Sequence, residues 1–204
     1  MNNEIYSNKD RQDQHCQNNR LRRGPSSFYM QDSRLVFEKL TLKHGDTLLD
    51  LGCGAGDYSI HAARIVGETG KIYALDLWWE MLEKICEDAT ILRIHNIYPV
   101  VSDVRKKINL PDDSTDVCLI GTVLHMMDFK REANNMFAEV KRVLKPGGKL
   151  AVIECKKENS SFGPPIQARI SPEELEKSIA EFGFSKTDYI DLGFNYMVMF
   201  ILYQ

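Results

Sequence analysis

The chain lacks any long hydrophobic run. Its longest apolar stretch, Tyr196 to Tyr203, has eight residues, whereas a membrane-spanning helix needs about 20. The sequence opens with the polar segment MNNEIYSNKD, which has no apolar core of the kind that a secretory signal requires. We therefore expect neither membrane insertion nor secretion.

Closely spaced cysteine pairs are also absent. The five cysteines are scattered, with no CxxC pair: Cys16, Cys53, Cys86, Cys118 and Cys155. A disulfide framework or a zinc site needs tighter clustering. Three of them (Cys53, Cys86 and Cys118) fall in segments predicted to be buried, which disfavours a thiol-rich site for a soft metalloid. The sequence predicts a cytoplasmic protein without a bound metal.

Strong charge of either sign is missing as well. The formal net charge is −3, so the chain as a whole does not attract phosphate backbones, and we expect no nucleic-acid partner. With 204 residues it has material for one substantial core. Residues 1–26 are polar and predict a flexible segment or a lid, and residues 27–204 predict one folded domain.

Strand-like and helix-like segments alternate from residue 47 onward. Strands separated by single helices form parallel βαβ units, and a series of such units forms a doubly wound sheet. The apolar patterns predict strands at 47–51, 71–76, 98–102, 117–121 and 149–154, and helices at 55–66, 78–89 and 129–144.

The end of the chain breaks this alternation. A helix begins at Ser171, followed by Pro172, and Glu174 is placed to complete a capping box. Two strands follow, 184–192 and 196–203, with too short a link for a helix, so they must be antiparallel. The first is polar enough for a sheet edge and the second is apolar throughout. We predict a Rossmann-like α/β sheet of seven strands in the order 3-2-1-4-5-7-6.

Glycines at alternate positions follow the first strand, in the segment from Asp50 to Asp57 (DLGCGAGD). Such a loop allows a ligand to approach the backbone closely, and the next helix points its free N–H groups at the same place. A dinucleotide site has the spacing GxGxxG, whose third glycine is Asp57 here. An acid ahead of the loop would repel a pyrophosphate but suits the ammonium group of an amino acid.

Two further acids follow the second and third strands. Asp76 is placed to accept hydrogen bonds from ribose hydroxyls, or to cap the next helix. Trp78 and Trp79 either lie against an adenine or pack in the fold. Asp103 is placed to accept from an adenine amine, although alone it is only a loop aspartate.

These motifs together resemble the class I methyltransferases that depend on S-adenosylmethionine (SAM), in the branch similar to ubiquinone/menaquinone-biosynthesis methyltransferases. The resemblance covers roughly residues 40–155 and rests on four motifs in the family's order: LDLGCGAG (49–56), LD (75–76), LPDDSTD (110–116) and LKPGGKL (144–150).

The resemblance implies a fold, a cofactor and a set of contacts. SAM would be the methyl donor and S-adenosylhomocysteine (SAH) the product. Asp50 and the Gly52–Gly56 loop would hold the methionyl part, Asp76 the ribose, and Asp103 with Val104 the adenine. The segment from Gly121 to His125 would line the sulfonium and the acceptor. The full set of implied cofactor contacts is Tyr29, Asp50, Gly52, Cys53, Gly54, Gly56, Asp76, Leu77, Asp103, Val104, Gly121, Thr122 and His125.

The acceptor is not identified by these motifs. The segment after the fourth strand, GTVLH, lacks the Asn/Asp-Pro-Pro-aromatic motif of methyltransferases that act on nucleobase or glutamine amines. His125 is either a general base or a packed histidine. Glu154 is either a second base or part of a solvated charge run, and the lysines that follow it favour the second.

Other features leave several interpretations open. The segment Gly163-Pro164-Pro165, with Arg169, either contacts the acceptor or forms a rigid linker. Phe28 and Tyr29 either fold over the site, with Arg22 and Arg23 closing beside them as a lid, or pack in the core. We expect a monomer or homodimer that methylates a small-molecule or protein-borne acceptor; the alternatives are a SAM-binding protein without catalysis and an NAD(P)-dependent oxidoreductase.

Overall fold

A computed structural model of the chain describes residues 26–203. The predicted segment 1–26, with Cys16 and the Arg22–Arg23 pair, therefore lies outside the described residues except for Ser26. Five helices and seven strands form the domain: α1 (Ser33–Leu40), β1 (Thr47–Leu51), α2 (Asp57–Val66), β2 (Lys71–Asp76), α3 (Trp79–Ile91), β3 (Ile97–Val101), β4 (Thr115–Gly121), α4 (Phe129–Val143), β5 (Leu144–Cys155), α5 (Pro172–Ala180), β6 (Phe184–Leu192) and β7 (Asn195–Leu202).

The strands form one sheet in the order β3-β2-β1-β4-β5-β7-β6. The pairs from β3 to β5 are parallel, whereas β7 is antiparallel to both of its neighbours. This confirms the predicted order and the single reversed strand. The apolar pattern of β7 fits its central place, because a strand between two others is covered on both faces.

Helices cover both faces of the sheet. On one face the core includes Met136 and Val140 of α4 together with Leu175 of α5. On the other it includes Phe37 of α1 and Ala62 of α2. Both faces of the sheet are therefore closed by packing, and the strand ends are where the sheet can meet a ligand. Among residues 26–203, no helix is long and apolar enough to cross a membrane.

Several boundaries differ from the predicted ones. Helix α2 begins at Asp57 rather than residue 55, because Gly56 adopts a left-handed conformation with φ +83°. Strand β5 begins at Leu144, five residues early, with an irregular register against β4. Helix α1 was not predicted; it begins after Asp32, whose side chain accepts a hydrogen bond from Arg34 N–H.

Candidate functional site

The glycine-rich loop after β1 is shaped by three left-handed glycines, with φ of +79° at Gly52, +53° at Gly54 and +83° at Gly56. Their surroundings differ. A Cβ at Gly52 would lie 2.4 Å from Val123, and one at Gly56 would lie 2.3 Å from Ile85, whereas one at Gly54 would meet nothing within 4 Å. Gly52 and Gly56 thus permit close packing, and Gly54 faces open space where a ligand can approach.

Asp76 ties this loop to the end of β2. Its carboxylate accepts a hydrogen bond from Gly54 N–H at 2.9 Å and another from Trp78 N–H at 2.9 Å. The side chain is buried, while the neighbouring Leu77 and Trp79 are about half exposed. The interpretation of Asp76 as the helix cap is wrong, because α3 begins after Trp78 and has no side-chain cap. Asp76 instead supports the turn before α3 and lies against the glycine loop.

Asp50 lies beneath the loop at the end of β1. It is 2% exposed and accepts a hydrogen bond from the Ser59 hydroxyl at 2.6 Å. Burial raises the pKa of Asp50 to about 7, and the negative charge of Asp76 acts in the same direction, against the Ser59 hydrogen bond. A buried carboxylate in this state would gain from a cationic partner. Cys53, also buried in the loop, has a thiol pKa raised well above its usual range by burial.

Asp103 follows β3 and already has a cationic partner. Both of its carboxylate oxygens accept hydrogen bonds from the Arg105 guanidinium at 2.8 Å, and Arg105 also donates to Glu132. These contacts hold the pKa of Asp103 below its usual range. The sequence reasoning named Asp103 and the half-buried Val104 but missed Arg105, whose charge decides what Asp103 can accept.

The segment after β4 packs directly on the glycine loop. Thr122 adopts a left-handed conformation with φ +56°, which is unfavourable for a β-branched residue and marks a constrained site. The turn is anchored by Thr122 N–H, which donates to the Ile153 carbonyl at 2.8 Å. Val123 then lies over Gly52. The predicted segments Gly52–Gly56 and Gly121–His125 are thus brought together.

His125 is bonded to a buried glutamate. Its Nδ1 lies 2.8 Å from Oε2 of Glu154, and Oε1 of Glu154 accepts a hydrogen bond from Leu124 N–H at 2.6 Å. Glu154 is 0% exposed, so the interpretation of this residue as part of a solvated charge run is wrong. The lysines that follow it point elsewhere, Lys156 to Asp191 and Lys157 to Glu174.

Tyr29 lies at the edge of the site, 73% exposed, and its hydroxyl donates to Asp57 at 2.9 Å. Phe28 is half buried, and its ring contacts Tyr58 edge-on at 5.2 Å. Phe28 thus packs in the fold, and the closure of this pair over the site stays a prediction. With Ala55, Asp57 and His61, the two rings line a groove of about 340 Å³, which does not include the carboxylates of Asp50 and Asp76.

A chain of polar contacts lies beneath Gly121. Asn195 donates to Gln31 at 2.7 Å, Gln31 donates to the Tyr58 hydroxyl at 2.6 Å, and that hydroxyl lies 3.4 Å from the Ser27 hydroxyl. Burial raises the pKa of Tyr58 to about 12. These contacts fix residues 27–31 against the sheet, an arrangement that the sequence did not indicate.

Arg169 organises the segment between β5 and α5. Its guanidinium donates to four backbone carbonyls, those of Lys156, Glu158, Phe162 and Pro164, at 2.8–3.0 Å, and it lies over the Phe194 ring. Arg169 is 4% exposed. The structure thus gives the segment the rigid character of a linker, with Arg169 fully engaged inside it.

The cysteines differ from expectation at one position. Cys53, Cys118 and Cys155 are buried as free thiols, but Cys86 is exposed. The prediction that Cys86 is buried is wrong because it lies on the outer face of α3, one position beyond the buried Ile85.

The fold and the site together define the class of protein. It is an α/β sheet with a glycine loop and buried acids at the carboxyl ends of adjacent strands, which is where doubly wound sheets bind nucleosides. The family model described as a methyltransferase domain matches residues 42–183. The chain belongs to this methyltransferase domain family.

Two curated relatives match somewhat more than half of the chain. The ubiquinone/menaquinone biosynthesis C-methyltransferase UbiE of Stutzerimonas stutzeri is 35% identical over 61% of this chain and 47% of its own length. The 2-phytyl-1,4-naphtoquinone methyltransferase of Nostoc punctiforme is 36% identical over 55% of this chain and 47% of its own. The chain thus aligns with about half the length of these relatives.

Solved structures resemble the chain over a larger share. A SAM-dependent methyltransferase from Aquifex aeolicus has a TM-score of 0.79 and 32% identity, and the match covers 88% of this chain and 94% of that one. The [4+2]-cyclase SpnF, at 21% identity and a TM-score of 0.71 over 83% of this chain and 80% of its own, shares the fold alone.

Proposed function

We propose that the chain is a SAM-dependent methyltransferase that transfers a methyl group to a small-molecule or protein-borne acceptor. The observation that carries the proposal is the contact of Gly54 N–H with Asp76 beside the buried Asp50. The open backbone of Gly54 thus lies at the same end of the sheet as Asp76, which we propose for the ribose, and Asp50, which we propose for the ammonium group.

The proposed roles follow the chemistry of each group. Asp50 would face the ammonium group of the methionyl part, since a cation would offset the cost of its buried charge. The open backbone at Gly54 admits the cofactor, and Asp76 has acceptor capacity left for ribose hydroxyls. On the adenine side, Asp103 would act together with Arg105, and Val104 would add apolar contact.

Methyl transfer from a sulfonium places modest demands on the protein. The leaving group is supplied by the cofactor, and holding the reacting atoms in line contributes about 7–11 kcal/mol. The rigid turn from Gly121 to His125, which rests on the glycine loop through Val123, is suited to this alignment. We propose His125 as the group that faces the acceptor.

The names of the relatives indicate which methyl acceptors to test first. Those named above are called methyltransferases of ubiquinone/menaquinone biosynthesis and of 2-phytyl-1,4-naphtoquinone, so reduced naphthoquinones are reasonable first candidates. The cytoplasmic location, the monomer or homodimer state and the lid role of the N-terminal segment stay predictions.

Transfer of radioactive methyl groups tests the proposal. The chain is incubated with SAM labelled in its methyl group and either reduced naphthoquinones or the small-molecule and protein fractions of a cell extract. We expect labelled product from at least one of these acceptor sources, and a strong reduction with Asp76→Asn.

The matched control is Asp112→Asn, which changes an acid exposed at another edge of the fold and should leave transfer unchanged. A chain that binds SAM but labels nothing would favour a binding protein without catalysis. Binding of NAD(P)H in place of SAM would favour an oxidoreductase.

A further inference from the structure

The contact between His125 and Glu154 gives the site a fixed geometry for proton transfer. Glu154 is completely buried, and of the lysines and arginines in residues 26–203 none forms a salt bridge with it; its side-chain hydrogen-bond partner is His125. An ionised carboxylate is an acceptor only. One oxygen is used by Leu124 N–H, so the other, which also lies 3.4 Å from Cys155 N–H, is directed at His125.

This arrangement selects one tautomer of the imidazole. Because Nδ1 faces a carboxylate oxygen at 2.8 Å, the ring proton belongs on Nδ1, and Nε2 keeps its lone pair. The His125 side chain is 17% exposed, so the ring is not sealed inside the core. Nε2 is therefore available to accept a proton.

The same cluster admits a second interpretation, a metal site. Ligand atoms of His125, Glu154 and Cys155 all lie within 4.8 Å of one another. Burial, together with the charge of Glu154, raises the pKa of the Cys155 thiol to about 11, so a metal would have to displace the thiol proton. The two short hydrogen bonds of Glu154 account for its burial without an ion.

We propose that Glu154 is a positioning residue that holds His125 as the proton acceptor of the reaction, and that the methyl acceptor therefore carries a removable proton. This inference rests on the proposed methyltransferase function. The acceptor class is a hydroxyl, a thiol, an N–H amine or an enolisable carbon, and excludes tertiary amines and thioethers, which have no proton to lose at the methylated atom.

The step balances as a substitution. An electron pair of the acceptor forms the new bond to the methyl carbon, while the bond from that carbon to sulfur breaks and leaves its pair on sulfur, which gives SAH. The proton of the acceptor moves to Nε2 of His125 and afterwards to solvent.

The geometry is tested in the wild-type chain by NMR with nitrogen-15 in the histidine rings. The His125 signals are identified by their loss in His125→Gln. We expect a proton on Nδ1 and none on Nε2, and a shift of the population towards Nε2–H in Glu154→Gln. Glu158→Gln, the same change at an exposed residue four positions along, should leave the tautomer as it is.

The chemistry is tested by rescue with imidazole, using labelled SAM and the acceptor fraction that the wild type labels. His125→Gly should lower the transfer rate by about 10²–10⁴-fold, the range for loss of a general base, and added imidazole should restore much of it. Glu154→Gln should lower the rate with His125 present and add almost nothing in the His125→Gly background, because it acts through the ring.

Several results would overturn the proposal. They are a proton on Nε2 in the wild type, no rescue by imidazole, an independent effect of Glu154→Gln in the His125→Gly background, or stoichiometric zinc that Cys155→Ser removes. Calorimetry with SAH distinguishes failure of this inference from failure of the proposed function. A chain that binds SAH but carries the His125 proton on Nε2 contradicts this inference alone. A chain that transfers no methyl group contradicts both.

Discussion

Three buried acids near the carboxyl ends of strands differ in the hydrogen-bond donors that contact them. Asp50 is contacted by the hydroxyl and the backbone of Ser59, Asp76 by two backbone N–H donors, and Glu154 by two backbone N–H donors and an imidazole. The number and charge of the donors decide which acid still needs a partner. Asp50 is the one whose pKa burial raises, to about 7, so we expect its charged form to depend most on a cationic ligand.

The pH dependence of SAH binding should report on Asp50. Its pKa in the free protein is about 7, so below that pH it is mostly neutral, whereas an ammonium ligand favours the charged form. Affinity should therefore rise with pH, by roughly 5-fold from pH 6 to pH 7 for a single coupled proton. Calorimetry at several pH values measures this, and Asp50→Asn should flatten the dependence. An affinity that falls over this range would contradict the proposed contact.

Two glycines of the loop should respond differently to alanine. Gly56→Ala places a methyl group against the buried Ile85 at positive φ, so we expect a loss of about 2–4 kcal/mol in the free energy of unfolding. Gly54→Ala meets open space and should cost only about 1–2 kcal/mol through its left-handed backbone, yet weaken SAH binding. Urea unfolding and calorimetry on both variants separate the effects; equal stability losses with unchanged binding would show that Gly54 is not at the ligand.

The candidate site residues could be predicted from the sequence more readily than the side chains that contact them. Asp50, Asp76 and the glycines follow apolar strands, and this placement is visible in the one-dimensional pattern. The burial of Glu154 could have been predicted from the same signal, an acid closing an apolar strand, but the lysines after it pointed to solvent. The pairing of Asp103 with Arg105 depends on side-chain geometry, which spacing does not determine.

At the level of helices and strands, the conformation and capping of the residues at helix ends explain why several observed boundaries differ from the predicted ones. The capping box of α5 is present as predicted, with Ser171 and Glu174 satisfying each other's backbone N–H groups. Helix α2 starts later than its composition indicated because Gly56 must be left-handed. For α1 the signal was present in Asp32 and the spacing of Val36 and Leu40, but eight residues give only two turns of pattern.

Removal of the α5 cap should weaken the fold measurably. Ser171→Ala leaves Glu174 N–H without its acceptor, and we expect a loss of about 1 kcal/mol in the free energy of unfolding. Ser185→Ala, at an exposed position of the edge strand β6, serves as the control and should change stability by less than about 0.5 kcal/mol. Urea unfolding of both variants checks this, and equal effects would contradict a specific capping contribution.

At the scale of the whole molecule, the site follows from the strand order. Strand β1 lies between β2 and β4, so the chain leaves it in one direction along the sheet and returns on its other side, which opens a crevice above the carboxyl ends of β1 and β4. The end of this order, with β7 inside the sheet and β6 at its edge, could be predicted from the sequence because an all-apolar strand belongs inside a sheet and a polar one at its edge. The fold alone does not determine the activity, since a [4+2]-cyclase has the same fold.

Calorimetric titration of the chain with SAH tests the central claim most directly. We expect one site per chain, and an affinity at least about 10-fold lower in Asp76→Asn, the equivalent of one lost interaction of about 1.4 kcal/mol, with no change in Asp112→Asn. The absence of binding to the wild type, or equal affinities for the wild type and Asp76→Asn, would contradict it.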